Sequence, residues 1–561
     1  GGSLYVSPNV RAFRSRAISP TGAEGRFVQG NYKGHLSSWG ETINLVDEYG
    51  CAVSTITYPG NPSDQQRYLR ITEMMYHPAG PCEDGAHDDE ACEYIELRNI
   101  GTAALSLDNV KFTKGISFIF PSISLPAGGY AVVVSNQAAF ACRYTVPASV
   151  QVLGPYQGQL SNSGERVKLE DSMNCTILDF DYEDGWYDIT DGTGFSLTVK
   201  DPVNAGPNQW SEKKTWRPSA DIGGSPGADD TGAVPELGSI KINELLAHSH
   251  AGEPDWIELH NTTDKAINIG GWFLSDDQDN LTKYEIAEGT IIDPCGYYVF
   301  YQDLHFGNIN DSGCHEVFAL SENGETLYLH SGRDGTLTGY SEEEKFGPSE
   351  TGVAFGRYKK STGTFNFVAM SENTPGSANA YPKVGPVVIN EIMYHPQNNG
   401  DAEYVELLNI SGDEIVLQGW DNEQARYVAW RFSDEGGIIF DFPLGTTLAA
   451  DEHILLVRNL AAFTSEFGSI SAGTQVFEWA LGRLDNGSEK IELSKPGDEV
   501  DGERYYIRVD RVNYSDGFHP EGEDPWPQQA DGQGKSLSRI DAELYGNDVI
   551  NWQAASPSPG N

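Results

Sequence analysis

Three times the chain sets an Ile-x-Glu triplet ahead of a run reading acidic-aromatic-Ile/Val-Glu-Leu-x-Asn, and each pairing gathers three carboxylates. They are Glu73 with Glu93 and Glu96, Glu244 with Asp255 and Glu258, and Glu391 with Glu403 and Glu406. Alternate residues of a strand share a face. Ile257 and Leu259 are therefore expected to point inward and Trp256, Glu258 and His260 to the other face, with Tyr94 and Glu96, and Tyr404 and Glu406, following the same rule. Should the Ile-x-Glu strand pair alongside, two carboxylates in each copy lie close together. Like charges facing each other across strands destabilise a sheet, so their recurrence calls for a cation or for backbone donors. Calcium suits the first reading, because it takes roughly six to eight oxygen ligands from carboxylates, carbonyls and waters. The second reading has each Glu capping a turn or meeting a Lys or Arg of its own module.

Other residues offer less chemistry. His77-Pro78 and His395-Pro396 recur as a metal site or a loop anchor, and no acid at metal-ligand spacing recurs with them. The acidic loops at Glu83 to Glu90 and Asp276 to Asn280 do not fit EF-hand spacing. Asn99, Asn261 and Asn409, which end the repeated phrase, are expected to turn the chain through side-chain to backbone hydrogen bonds. There is no Gly-x-Ser-x-Gly elbow, no His-Glu-x-x-His helix and no Walker loop, since Gly534-Lys535-Ser536 lacks the earlier glycine. Carboxylate pairs alone are weak evidence of glycosidase chemistry where acids are everywhere. No catalytic residue is assigned, and the chain is not expected to be an enzyme.

The elements that must position these groups read as β throughout. Short alternating apolar runs such as Tyr130 to Val134, Tyr297 to Phe300 and Ile454 to Val457 stand at comparable places after Gly-rich or acidic turns. Glu73 and Glu244 are 171 residues apart and Glu244 and Glu391 are 147 apart, which are domain-sized periods. A Gly and acidic turn leading into an alternating strand occurs four times, from Gly40, Gly164, Gly324 and Gly487. There are thus four second halves of a module and three first halves. Residues 1–62 read as a C-terminal half, with Leu4 to Phe13 matching Ala131 to Phe140, and full modules are expected at 69–228, 238–379 and 386–561. Half a sandwich leaves open edges and an uncovered apolar face. Either residues upstream complete it or a neighbouring subunit lends the missing strands, which would make a head-to-tail polymer. Ser225-Pro226-Gly227, Thr374-Pro375-Gly376 and Ser558-Pro559-Gly560 read as linkers.

Composition bounds the partners. With 82 Asp and Glu against 37 Lys and Arg, the formal charge is −45, spread along the chain, so phosphate-rich nucleic acid is not an expected partner. Such a charge opposes compaction unless counter-ions screen it. No run of apolar residues is long enough to span a membrane. The seven cysteines form no Cys-x-x-Cys motif, and their placement suggests pairs at Cys82 and Cys92, Cys295 and Cys314, and Cys142 and Cys175, leaving Cys51.

The Ile-x-Glu strand, the Glu-Tyr-Ile-Glu-Leu-x-Asn strand and a following Gly-Trp, at Gly271-Trp272 and Gly419-Trp420, resemble the lamin-tail domain. The resemblance implies tandem immunoglobulin-like β-sandwich modules over nearly the whole chain. Met75 to Pro78 and Met393 to Pro396 are similar to the version found in large exported bacterial proteins, which implies a place outside the cell or on its surface. The first full copy departs with Asp108-Asn109-Val110 in place of Gly-Trp, and the middle one with Ala247-His248-Ser249 in place of Tyr-His-Pro. Two functions are then expected. One is a structural protein, calcium-stabilised and self-associating into a filament or layer; the other is an adhesion array whose Trp186, Trp272 and Trp430 stack on cell-surface polysaccharide. Asn174, Asn261 and Asn409 stand in glycosylation sequons.

Overall fold

The computed structural model describes residues 4–17, 27–33, 36–81, 85, 87–232, 235–422, 424–470, 473–518 and 524–561. The chain is mostly β and forms two compact units, residues 1–233 and 234–561. Among the described residues no helix is long and apolar enough to cross a membrane.

Each full module is a sandwich whose centre is the repeated phrase. In the first, Leu69–Met75 and Tyr94–Asn99 pair antiparallel in the middle of a six-stranded sheet, flanked by Tyr130–Val134 and Gln151–Leu153 on one side and by Leu197–Val199 and Trp216–Pro218 on the other. A four-stranded sheet built on the hairpin Glu165–Glu170 and Thr176–Tyr182 supplies the second layer. The core between them takes Ile71, Met74, Ile95 and Leu97 from the first layer and Val167, Leu169 and Phe180 from the second. The outer face of the phrase is buried as well, because a short helix, Gln137–Arg143, lays Phe140 over Met75 and Tyr94. Its start is fixed by Asn136, which accepts hydrogen bonds from the amides of Ala138 and Ala139. Strands covered on both faces read as nearly continuous apolar runs, so the acids within them stand out.

The other modules repeat this plan with variations. The third has the same six-stranded order, from Gln475–Glu478 to Trp552–Ala555, while the second has five strands and no parallel edge strand among its described residues. The third also carries an extra hairpin, Gln418–Asp421 with Arg426–Ala429. Trp430 comes directly after it and hydrogen-bonds to Leu417 as Trp272 does to Ile269, and both tryptophans are core residues. The partner of Trp272 is therefore Trp430, and Gly419-Trp420 belongs to the insertion.

The described elements of residues 4–58 share local details with the first full module. Leu4–Val6 pairs in parallel with Phe27–Gln29, as Tyr130–Val134 does with Gln151–Leu153, and Asn9 caps the helix Val10–Arg14. In the hairpin Glu41–Val46 and Ala52–Tyr58, Asp47 accepts from Tyr49 and Cys51 as Asp171 does from Met173 and Cys175. Burial differs sharply. Ile43, Leu45 and Ile56 are exposed where Val167, Leu169 and Phe180 are core residues.

Several expectations are corrected by this packing. Trp186, Trp272 and Trp430 are buried, so none offers a face to a sugar. Asn261 and Asn409 are fully buried and out of reach of glycosylation, whereas Asn174 is exposed on a turn. Cys142, Cys175, Cys295 and Cys314 are free thiols. Cys295 sits on an exposed turn and reaches the Thr263 carbonyl, and Cys314 faces the Phe306 carbonyl in the core, so each thiol is engaged at a different place. Cys92 is disulfide-bonded, and Cys82, its expected partner, lies outside the described residues, as does much of the Glu83 to Glu90 loop.

Candidate functional site

The two strands of the phrase are out of simple register. Ile71 faces Leu97, yet Glu73 faces Glu96, so Thr72 is the extra residue of a β-bulge. The same shift occurs at Asn243, between Ile242 opposite Leu259 and Glu244 opposite Glu258, and at Asn390, between Ile389 opposite Leu407 and Glu391 opposite Glu406. The bulge brings each pair of carboxylates face to face, and every one of the six is buried.

Backbone donors compensate the charge. The closing Ser/Thr-Pro-Gly segment of each module folds back onto its own acid pair. Ser225 N donates to Glu73 at 2.8 Å and Gly227 N to Glu96 at 2.6 Å. Thr374 N donates to Glu244 at 3.0 Å and Gly376 N to Glu258 at 2.5 Å. Ser558 N donates to Glu391 at 3.1 Å and Gly560 N to Glu406 at 2.6 Å. The intervening proline has no N–H, so the residues flanking it are the donors. The bulged residue completes the set, since Thr72, Asn243 and Asn390 donate to Glu96, Glu258 and Glu406 at 2.5, 2.7 and 2.8 Å. In the first module Tyr94 and Ser196 also donate to Glu73, and the left-handed Gly224 lies so close that a Cβ there would meet the Glu73 carboxylate at 2.0 Å. These segments fasten each sandwich across its central strands.

Burial pushes all six carboxyls above their ordinary range, Glu258 to about 7. Within the first pair, the neighbouring Glu73 adds to the rise at Glu96.

The third acid of each expected trio is elsewhere. Glu93 precedes Tyr94 and so points to the opposite face, where Tyr156 OH and Leu160 N donate to it at 2.5 and 2.9 Å. Glu403 likewise accepts from Leu484 N at 3.0 Å and from Arg458 at 3.1 Å, and Asp255 accepts from Ser249 N at 3.1 Å. Period-two alternation thus separates residues that are close in sequence. Among the described residues no group of three His, Cys, Asp or Glu side chains is placed to hold a metal ion.

The family model described as Lamin Tail Domain matches residues 62–184, 233–342 and 381–515, about two-thirds of the chain. The chain belongs to the lamin tail domain family. No curated protein matches it. A solved structure to which it is similar is that of a DUF4876 family protein from Bacteroides thetaiotaomicron, 11% identical over 53% of this chain and 97% of that one, with a TM-score of 0.20.

Further residues recur across these lamin tail domains. Asn99, Asn261 and Asn409 each donate to three carbonyls across a loop, those of Ala103, Leu125 and Pro126 in the first domain. His77 and His395 contact Asp191 and Asp531 at 2.5 Å, pinning an Asp-Gly-x-Gly loop whose Gly192 and Gly532 lie under the imidazole rings. The loop-anchor reading of these histidines is the one the lamin tail domain geometry displays. The glutamate after each Gly turn has a role that sequence reasoning missed: Glu165 and Glu325 accept from the amides of Ser161 and Ser321, and Glu41 from that of Ser37. Its four-fold recurrence was the available signal.

Proposed function

We propose that this chain is a non-catalytic structural protein of the cell surface or extracellular space, a string of rigid lamin tail domains that associates into a filament or layer. The observation that carries the reading is the employment of the repeated acid pairs. The recurring carboxylates hold the closing segment of their own module, which supports a role in building rigid modules over one in substrate chemistry. Stiffness extends beyond single modules in residues 234–561. Tyr545 of the third domain packs against Val368, Met370 and Tyr358 of the second, and its hydroxyl reaches Asn366 at 3.2 Å. The disulfide state of Cys92 favours an oxidising compartment.

Association draws support from the exposed apolar side chains of the hairpin Glu41–Val46 and Ala52–Tyr58, where Ile43, Leu45 and Ile56 face outward. Calcium acts in this reading by screening a charge of −45 between neighbouring chains. Negative-stain microscopy and sedimentation of the full chain, with millimolar calcium and with a chelator, test it. Ordered assemblies that dissolve on chelation are expected. A protein that stays monomeric under both conditions contradicts the reading.

A further inference from the structure

The hairpin inserted in the third domain carries a tryptophan that the core does not use. Trp420 is 52% exposed, with Tyr427 beside it, also 52% exposed, edge-on at 4.9 Å. The other exposed tryptophan among the described residues is Trp39, far away in sequence on the half-module. Trp420 forms one wall of a cleft of about 400 Å³ between the second and third domains, within one compact unit. That volume lies in the range of small-molecule sites, about 300–1,000 Å³.

Ion pairs line the rest of the cleft. Lys495 meets Glu350 at 2.9 Å, and Glu350 is also held by Lys383 at 2.9 Å. His248 lies 3.2 Å from Glu322. Arg504 is tied to Asp421 and, at 2.7 Å, to Glu499. The cations are thus answered by carboxylates, and acids outnumber bases in the lining, so the cleft repels polyanions. An exposed indole face beside fixed acceptors and donors suits a ligand with a flat apolar surface rimmed by hydroxyls. A pyranose ring has that form, and an aromatic platform with a few placed polar groups is how such clefts set orientation.

We propose that this inter-domain cleft binds a neutral oligosaccharide, one sugar ring stacking on Trp420 while Glu322, Glu350 and Lys495 hydrogen-bond its hydroxyls. Among the described residues the inserted hairpin belongs to the third domain.

Isothermal titration of the full chain with cellohexaose, maltohexaose, laminarihexaose and chitohexaose, with polygalacturonate as the anionic comparison, tests the proposal. At least one neutral hexasaccharide is expected to bind saturably, at least tenfold more weakly in Trp420→Ala, with Trp420→Phe in between and Trp39→Ala unchanged. Because Trp420 is exposed, Trp420→Ala should melt with the wild type. Failure of all four neutral sugars, binding of polygalacturonate alone, or equal affinity in Trp420→Ala overturns it.

Discussion

Glu73 and Glu96 lie directly opposite each other on paired central strands, fully buried, because Thr72 is bulged out of register between Ile71 and Glu73. Without the bulge, Glu73 would oppose Ile95. Two like charges in that position would split a sheet apart, and here the amides of Ser225 and Gly227 arrive from more than a hundred residues downstream to receive them. The first strands of each module are thereby tied to a segment from its far end.

Removing one acceptor should be costly and replacing it gently should not. Glu406→Ala leaves the Gly560 amide and the Asn390 side chain without their acceptor in a buried place, an expected loss of about 2–4 kcal/mol. Glu406→Gln keeps a carbonyl oxygen and should lose about half of that or less. Urea unfolding of both variants checks the ranking, and an alanine variant as stable as glutamine speaks against the fastening.

Stability should rise on mild acidification. Glu258 is pushed up to about 7 by burial first, with Glu244 adding to the rise, and burial likewise holds Glu93 and Glu403 at about 7. A carboxyl whose folded value exceeds its unfolded one takes up a proton on folding, so its contribution is full below the unfolded value, about 4.5, and is lost as pH climbs through about 7. The melting temperature is expected to be a few degrees higher near pH 5.5 than near pH 8, and Glu258→Gln should flatten the profile. A melting temperature that rises from pH 5.5 to 8 in the wild type contradicts this.

The central strands were legible because period-two alternation survives in Ile257 and Leu259, which enter the core while Trp256 and Glu258 take the other face. The structural role of Asn99, Asn261 and Asn409 was legible for a similar reason, since a polar residue ending an apolar strand has to find local backbone partners. The bulge was not legible. An extra residue leaves no mark in composition, yet it decides that Glu73 meets Glu96. Ser225-Pro226-Gly227 looked like a linker because Pro and Gly mark irregular backbone whether it is free or fastened, and only its amide partners tell the two apart. Trp420 drew attention by sitting after a glycine as Trp272 does. The better guide lay on the C-terminal side of the tryptophan, since Leu274-Ser275-Asp276 corresponds to Phe432-Ser433-Asp434 and so points to Trp430.

Tyr545 should couple the second and third domains. Tyr545→Ala removes its ring from the cluster with Val368 and Met370 and its hydrogen bond to Asn366. Scanning calorimetry of the wild type is expected to show these two domains unfolding in one transition, which splits in the variant. A single transition that merely shifts would mean that the domains are held together elsewhere.

The most direct test of the fastening is amide hydrogen exchange at the closing segments, read by mass spectrometry on peptides that cover Gly227, Gly376 and Gly560. In Glu258→Ala, protection of the peptide carrying Thr374 and Gly376 should fall by at least tenfold while the peptides at Gly227 and Gly560 stay as protected as in the wild type. Unchanged protection at Gly376 would contradict the claim that the paired glutamates close these modules.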